Sequence, residues 1–180
     1  MRTRLTFLVI LSILLTGVLV FADGDLSSAI KAGDSAKVAQ LLSGGADANA
    51  ADTNGQTVLM EAAHEGRAPV IQALIKAGAD PAVRDSKGWS ALMYGVRYGK
   101  VEAVSALLAA GASADLADKD GVTPLMYATR DGHLDVVKLL LAKGADPNLK
   151  SRRKHTALMW AARGGNQQII DLLKQAGAKE

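Results

Sequence analysis

The chain has 180 residues, of which 49% are hydrophobic, 22% are charged and only 4% are aromatic, and it contains no cysteine. This balance is that of one globular domain, and it excludes an intrinsically disordered chain, a collagen-like chain and a disulfide-stapled scaffold. The formal net charge of +3 is small.

The first element is an apolar segment typical of a secretory signal. Arg2 and Arg4 precede an uncharged stretch from Leu5 to Ala22, and an acidic segment follows. A positive start, an apolar middle and small residues at its end predict cleavage after Ala22. The alternative is an uncleaved membrane anchor, because 18 apolar residues reach the lower limit for spanning a bilayer.

Residues 1–22 are therefore predicted to be a signal peptide, and residues 23–180 a domain in the periplasm or outside the cell. Without Arg2 and Arg4, 19 basic residues face 18 acidic residues, a net charge of +1. This charge predicts no general affinity for nucleic acid.

The rest of the chain repeats itself every 33 residues. The recurring landmarks are Gly55, Gly88 and Gly121; Leu59, Leu92, Leu125 and Leu158; Gly66, Gly99, Gly132 and Gly165; and Gly78, Gly111, Gly144 and Gly177. Full repeats occupy 52–84, 85–117 and 118–150, which we number 2, 3 and 4. Repeat 5 at 151–180 is shortened, and repeat 1 at 23–51 lacks the opening loop.

Each repeat is predicted to form two short helices. A hydroxyl residue precedes the first helix, where it would cap free backbone N–H groups, at Thr57, Ser90, Thr123 and Thr156. The glycines at 66, 99, 132 and 165 are expected to end the first helix, and those at 78, 111, 144 and 177 the second. These helix-start and helix-stop signals predict the all-α fold class, with helix pairs stacked into a solenoid.

Repeat 4 carries a known family pattern almost throughout, at Asp118, Gly121, Thr123, Pro124, Leu125, Ala128, Gly132, His133, Val136, Val137, Leu139, Leu140, Gly144, Ala145, Asp146 and Asn148. In these positions it resembles an ankyrin repeat, and the resemblance extends over residues 26–180. It implies an ankyrin-repeat solenoid of about five repeats, with the first and last as caps, that binds another protein. The family's histidine is replaced by methionine at 60, 93, 126 and 159, which we expect to fill the core.

No pattern for catalysis, a metal or a cofactor is found. His64 and Glu65 begin a zinc-peptidase motif, but Ala68 stands where the second histidine would be. Asp118 and Asp120 lie at a loop tip, where a solvated turn is the simpler interpretation than an acid/base pair. We therefore expect a binding protein, without cofactor, rather than an enzyme.

A basic cluster opens repeat 5 in place of the Asp-x-x-Gly of the other repeats, at Lys150, Arg152, Arg153, Lys154 and His155. It is either a solvated loop beside a capping repeat or a docking point for an acidic protein, a lipid head group or a polysaccharide. Nucleic acid is disfavoured because no aromatic platform is interleaved with the charges.

Aromatic residues and arginines recur on one side of the first helices. At about 100° per residue, Tyr127 and Arg130 fall on the side opposite Leu125. The same pair recurs one period away on either side, which predicts two columns along a concave groove. The candidate partner-binding residues are Trp89, Tyr94, Arg97, Tyr98, Tyr127, Arg130, Trp160 and Arg163, residue types enriched at interface hot spots. The alternative is that the rings only pack against neighbouring helices and loops.

Three hypotheses for function remain. The first is an exported, monomeric module that binds a partner protein through the groove and finger loops, with membrane contact only if the N-terminal segment is uncleaved. The second is an inhibitor or immunity factor for a toxin or an envelope enzyme. The third is an envelope-associated structural protein that holds anionic lipid or glycan through the basic loop.

Overall fold

The computed structural model describes residues 23–179, so the predicted signal peptide at 1–22 lies outside the described residues. Within 23–179 the chain forms five helix pairs and no strand, with one pair in each predicted repeat. The pairs are α1 (Asp23–Ala32) and α2 (Ser35–Ser43); α3 (Val58–Glu65) and α4 (Ala68–Lys76); α5 (Ala91–Arg97) and α6 (Val101–Ala109); α7 (Pro124–Arg130) and α8 (Leu134–Ala142); and α9 (Ala157–Gly164) and α10 (Gln167–Gln175).

The helix pairs stack in chain order. Each first helix (α1, α3, α5, α7 or α9) packs against the first helix of the next repeat, and each second helix packs against the next second helix. The two rows of helices form the two layers of a solenoid, in which each repeat contacts only its neighbours. The prediction of an all-α repeat solenoid is confirmed. None of the helices within 23–179 combines the length and the apolar run that crossing a bilayer requires.

Local capping fixes where the first helices begin and end. The Thr57 hydroxyl accepts a hydrogen bond from the Met60 N–H at 3.3 Å, and Ser90, Thr123 and Thr156 repeat this contact in α5, α7 and α9. Helix α3 ends at Gly66 in the left-handed conformation, with φ of 76°. These caps satisfy backbone groups that the helix itself leaves free.

The core lies between the two rows of helices and consists of aliphatic residues and methionines. Met60, Met93 and Met126 are completely or almost completely buried, as predicted. The prediction is wrong for Met159, which is 45% exposed, because no helix of the described chain packs on the far side of α9.

The loops that precede α3, α5, α7 and α9 form a row of fingers beside the first helices. We call residues 51–57, 84–90, 117–123 and 150–156 fingers 2, 3, 4 and 5 after their repeats. Neighbouring fingers are joined by backbone hydrogen bonds: the Ser86 N–H donates to the Asn54 carbonyl at 2.8 Å, and the Arg152 N–H to the Asp120 carbonyl at 2.9 Å. The fingers therefore cover one side of the first helices as a continuous layer.

Candidate functional site

The side of the first helices that faces the fingers carries the predicted columns, and we call it the groove face. One column consists of Glu61, Tyr94, Tyr127 and Trp160, and the other of His64, Arg97, Arg130 and Arg163. The two columns differ in their contacts along the solenoid.

The two tyrosines of the first column are tied to the fingers. The Tyr94 hydroxyl donates a hydrogen bond to Asp85 at 2.8 Å, and the Tyr127 hydroxyl donates to Asp118 at 2.6 Å. All four side chains are buried. Each pair therefore fastens a finger to the first helix of its own repeat.

The aspartates also hold the turn of each finger. The second carboxylate oxygen of Asp85 accepts hydrogen bonds from the N–H groups of Lys87 and Trp89, both at 2.8 Å. Asp118 does the same for Asp120 and Val122. Asp118 was expected in a solvated turn, but its carboxylate is buried and accepts hydrogen bonds from three donors. These bonds give Asp118 a structural role that requires no acid/base chemistry.

Burial raises the pKa of the Tyr94 and Tyr127 phenols well above the ordinary value, and the neighbouring Asp85 and Asp118 carboxylates raise it further. Both phenols are consequently neutral donors near neutral pH.

Trp89 packs between the two tyrosines and joins repeats 3 and 4. Its ring lies edge-on to Tyr94 at 5.3 Å and to Tyr127 at 5.0 Å between centroids. The helical spacing of about 100° per residue predicted that these rings are exposed on a concave groove. That prediction is wrong for Tyr94 and Tyr127, which are buried. Tyr94 and Tyr127 instead pack against neighbouring helices and loops, which was the alternative interpretation. The reason is that the fingers cover the side of the first helices that faces away from the core.

The arginine column is partly paired within the protein. Asp131 accepts from Arg97 at 2.7 Å and from Arg130 at 3.1 Å, and the Arg130 guanidinium lies 4.7 Å from the centre of the Tyr127 ring. Both arginines remain substantially exposed. Exposed ion pairs of this kind add little stability, so these side chains stay available to a partner.

At the N-terminal end an acid takes the place of the aromatic residue in the first column. Glu61 accepts a hydrogen bond from Ser27 at 2.8 Å and pairs with Lys31 at 3.3 Å. Farther along, Tyr98 is 50% exposed and its ring lies 4.3 Å from that of His64, which also contacts Glu65 at 3.0 Å.

At the C-terminal end the groove face is open. Trp160 is half-buried and its ring lies edge-on to His155 at 5.4 Å. These two residues, with Met159 and Arg163, line a pocket of about 120 Å³. Arg163 has no hydrogen bond or ion pair with any residue of 23–179.

The predicted basic loop lies in finger 5 beside this pocket. The side chains of Lys150, Arg152, Arg153 and Lys154 are exposed, and they form no hydrogen bond or ion pair within residues 23–179. Lys154 has φ of 64°, which is the left-handed conformation that Gly55, Gly88 and Gly121 adopt at the same position in repeats 2 to 4.

The tyrosine–aspartate pairs were not predicted, although the sequence contains a signal for them. An aspartate that opens a finger is followed nine residues later by a tyrosine in repeats 3 and 4. Where Glu61 replaces the tyrosine, Asp52 is exposed, and where Trp160 replaces it, Ser151 opens the finger. The acid is therefore buried only where a phenol can donate to it.

Residues 23–179 contain no group of three or more acidic or histidine side chains placed to hold a metal ion.

Comparison with known families gives a match along most of the chain. A family model described as ankyrin repeats (3 copies) matches residues 26–118 and 107–180. A search of curated proteins finds no match. The stacked helix pairs, the capped first helices and the row of fingers agree with the family match, and the chain belongs to the ankyrin-repeat family.

Proposed function

We propose that this chain is a protein-binding module that recognises its partner through the groove face and the fingers. Ankyrin repeats generally mediate protein–protein interactions, and the chain belongs to that family. One observation on the described residues carries the proposal. The only large hydrophobic side chains that are exposed are Tyr98, which caps the end of α5 and contacts His64, and Met159, which lines the pocket at Trp160 and Arg163. Aromatic and methionine side chains that keep apolar area in water are characteristic of interfaces.

Binding can be tested in two steps. The protein is used to capture partners from its own compartment, and the affinity of an identified partner is then measured with Tyr98→Ala and Met159→Ala variants. If these side chains are anchors, each substitution should cost about 1 to 3 kcal/mol of binding free energy. Gln72→Ala, an exposed position on the second-helix layer, is the matched control and should leave the affinity unchanged.

Equal affinity for the wild-type protein and for the Tyr98→Ala and Met159→Ala variants would contradict the proposal. If the captured partner is an envelope hydrolase or a toxin, its activity is measured with increasing amounts of the protein. Loss of that activity at stoichiometric protein would make the module an inhibitor or immunity factor.

We also propose that the protein is exported and begins at Asp23 in its mature form. The support is the charge and apolar pattern of residues 1–22. Intact-mass measurement of the protein from the envelope fraction tests it. A full-length mass in the membrane pellet would instead favour the uncleaved anchor.

A further inference from the structure

We infer that the C-terminal end of the groove face binds an acidic segment of a partner protein. The site consists of the pocket at Trp160 and Arg163 and the cations of finger 5, Arg152, Arg153 and Lys154. This inference rests on the proposed protein-binding function and specifies the chemistry of the partner.

Repeat 5 keeps cations but lacks the acids that accompany them in repeat 4. One period earlier, Asp118, Asp120 and Asp131 stand where repeat 5 has Ser151, Arg153 and Gly164. Asp131 is the residue that pairs with Arg97 and Arg130. Because glycine replaces that carboxylate beside Arg163, the last arginine of the column has no acid to contact.

Two of the three cations in fingers 3 and 4 contact the protein itself, whereas the third, Lys87, has no side-chain hydrogen bond or ion pair within residues 23–179. Arg84 donates to the Gly88 carbonyl at 3.0 Å and to the Ala117 carbonyl at 2.6 Å, and Lys119 donates to the Ser86 carbonyl at 2.6 Å. Arg152 occupies the position of Lys119 one period later, yet its side chain has no such contact. The charges of finger 5 therefore repel one another without compensation, and carboxylates from a partner would relieve that repulsion.

The backbone at Lys154 has an unusual conformation for a lysine. Residues other than glycine rarely adopt a positive φ, and the three preceding repeats have glycine at this position. In finger 4 a side chain at Gly121 would also approach the Arg152 backbone of the next finger, to 3.1 Å. No described finger follows finger 5, so space permits a side chain there, but the backbone still favours glycine. A lysine kept in a strained conformation points to a use for its charge.

The pocket beside the cations offers both apolar area and an arginine. The exposed part of the Trp160 ring, the edge of His155 and the Met159 side chain give apolar area, and Arg163 borders it. Arginine pairs with carboxylates through two parallel N–H groups, which favours Asp and Glu side chains as ligands. A peptide with an apolar side chain between acidic residues can fill the pocket and reach the finger. A flat lipid surface fits a concave pocket poorly.

The test uses the purified protein and a short fluorescein-labelled peptide with one leucine between glutamates. Fluorescence anisotropy should show binding that weakens as salt increases, because exposed charges are screened. A peptide with glutamine in place of each glutamate should not bind. The Arg152→Gln/Arg153→Gln variant should bind the acidic peptide about tenfold more weakly.

Two further variants keep the result interpretable. Lys76→Gln/Lys143→Gln removes the same charge from exposed positions at the ends of the second helices, and it should change the affinity less than about twofold. Arg163→Gln changes an unpaired, exposed side chain, so it should weaken binding without lowering the melting temperature measured by circular dichroism.

Several outcomes would overturn the inference: equal binding of the glutamine peptide, an equal loss in the Lys76/Lys143 control, or binding to vesicles containing anionic lipid but not to the peptide. An identified partner that needs Tyr98 but binds the Arg152/Arg153 variant normally would refute this site alone. A partner that binds the Arg152/Arg153, Tyr98→Ala and Met159→Ala variants as tightly as the wild-type protein would refute the broader proposal as well.

Discussion

Replacing Tyr127 by phenylalanine removes the hydroxyl that joins α7 to finger 4 and keeps the ring. The hydroxyl donates to Asp118 at 2.6 Å, and the two side chains are 7% and 8% exposed. The ring contacts with Trp89 and Arg130 are expected to remain. The variant therefore isolates one buried hydrogen bond to a carboxylate.

The expected loss follows from the burial of the acceptor. A hydrogen bond to a charged group contributes about 1.5 to 3 kcal/mol, and a buried oxygen left without its donor keeps its desolvation penalty. Asp118 retains two backbone donors, so we expect a loss near the middle of that range, about 2 kcal/mol. For a domain of this size that corresponds to a fall in melting temperature of about 4 to 8 °C.

Urea unfolding followed by circular dichroism measures the change, with Tyr98→Phe as the matched control. Tyr98 is 50% exposed, and its hydroxyl has no hydrogen-bond partner among residues 23–179, so its loss should change stability by less than about 0.5 kcal/mol. If Tyr127→Phe were as stable as Tyr98→Phe, the fastening role of the buried pair would be refuted.

Three other predictions concern stability and use the same urea assay. Because the pKa values of Tyr94 and Tyr127 are raised above the value of about 10 expected when unfolded, the folded chain holds these protons more tightly and should lose stability above about pH 10. The Tyr94→Phe/Tyr127→Phe variant should lose less between pH 8 and pH 11; an equal loss would assign the effect to other groups. Lys154→Gly should gain about 1 kcal/mol by removing a strained side chain, and a loss would show that the lysine makes favourable contacts. Met126→Gln should cost about 2 kcal/mol or more, whereas Met159→Gln should change stability by less than about 0.5 kcal/mol; equal effects would contradict the difference in burial.

The sequence alone was enough to predict the helices and their order. The 33-residue period gave the helix pairs, and the caps at Thr57 and its equivalents lie where the hydroxyl pattern predicted. These features depend on interactions within three or four residues, such as the contact between Thr57 and the Met60 N–H. Burial of Met60 and Met126 was also predicted correctly, because every internal repeat has a neighbour on both sides.

The groove face was predicted less well, because its contacts join residues in different repeats. The helical wheel separates the core side of α7 from the opposite side, but it contains no finger to cover Tyr127. Asp131 belongs to repeat 4 and pairs with Arg97, 34 residues earlier. The sequence of a single repeat therefore could not show which arginines of the column are paired and which are unpaired.

The sequence by itself therefore determined the number and order of the helices and the capped starts of α3, α5, α7 and α9, since capping and hydrophobic period act within a single repeat. Only the tertiary structure decided which aromatic rings are buried, which cations are paired and that Met159 is exposed. The physical reason is that exposure and charge pairing depend on what the adjacent repeat places against a side chain, and that differs between the middle of the stack and its end.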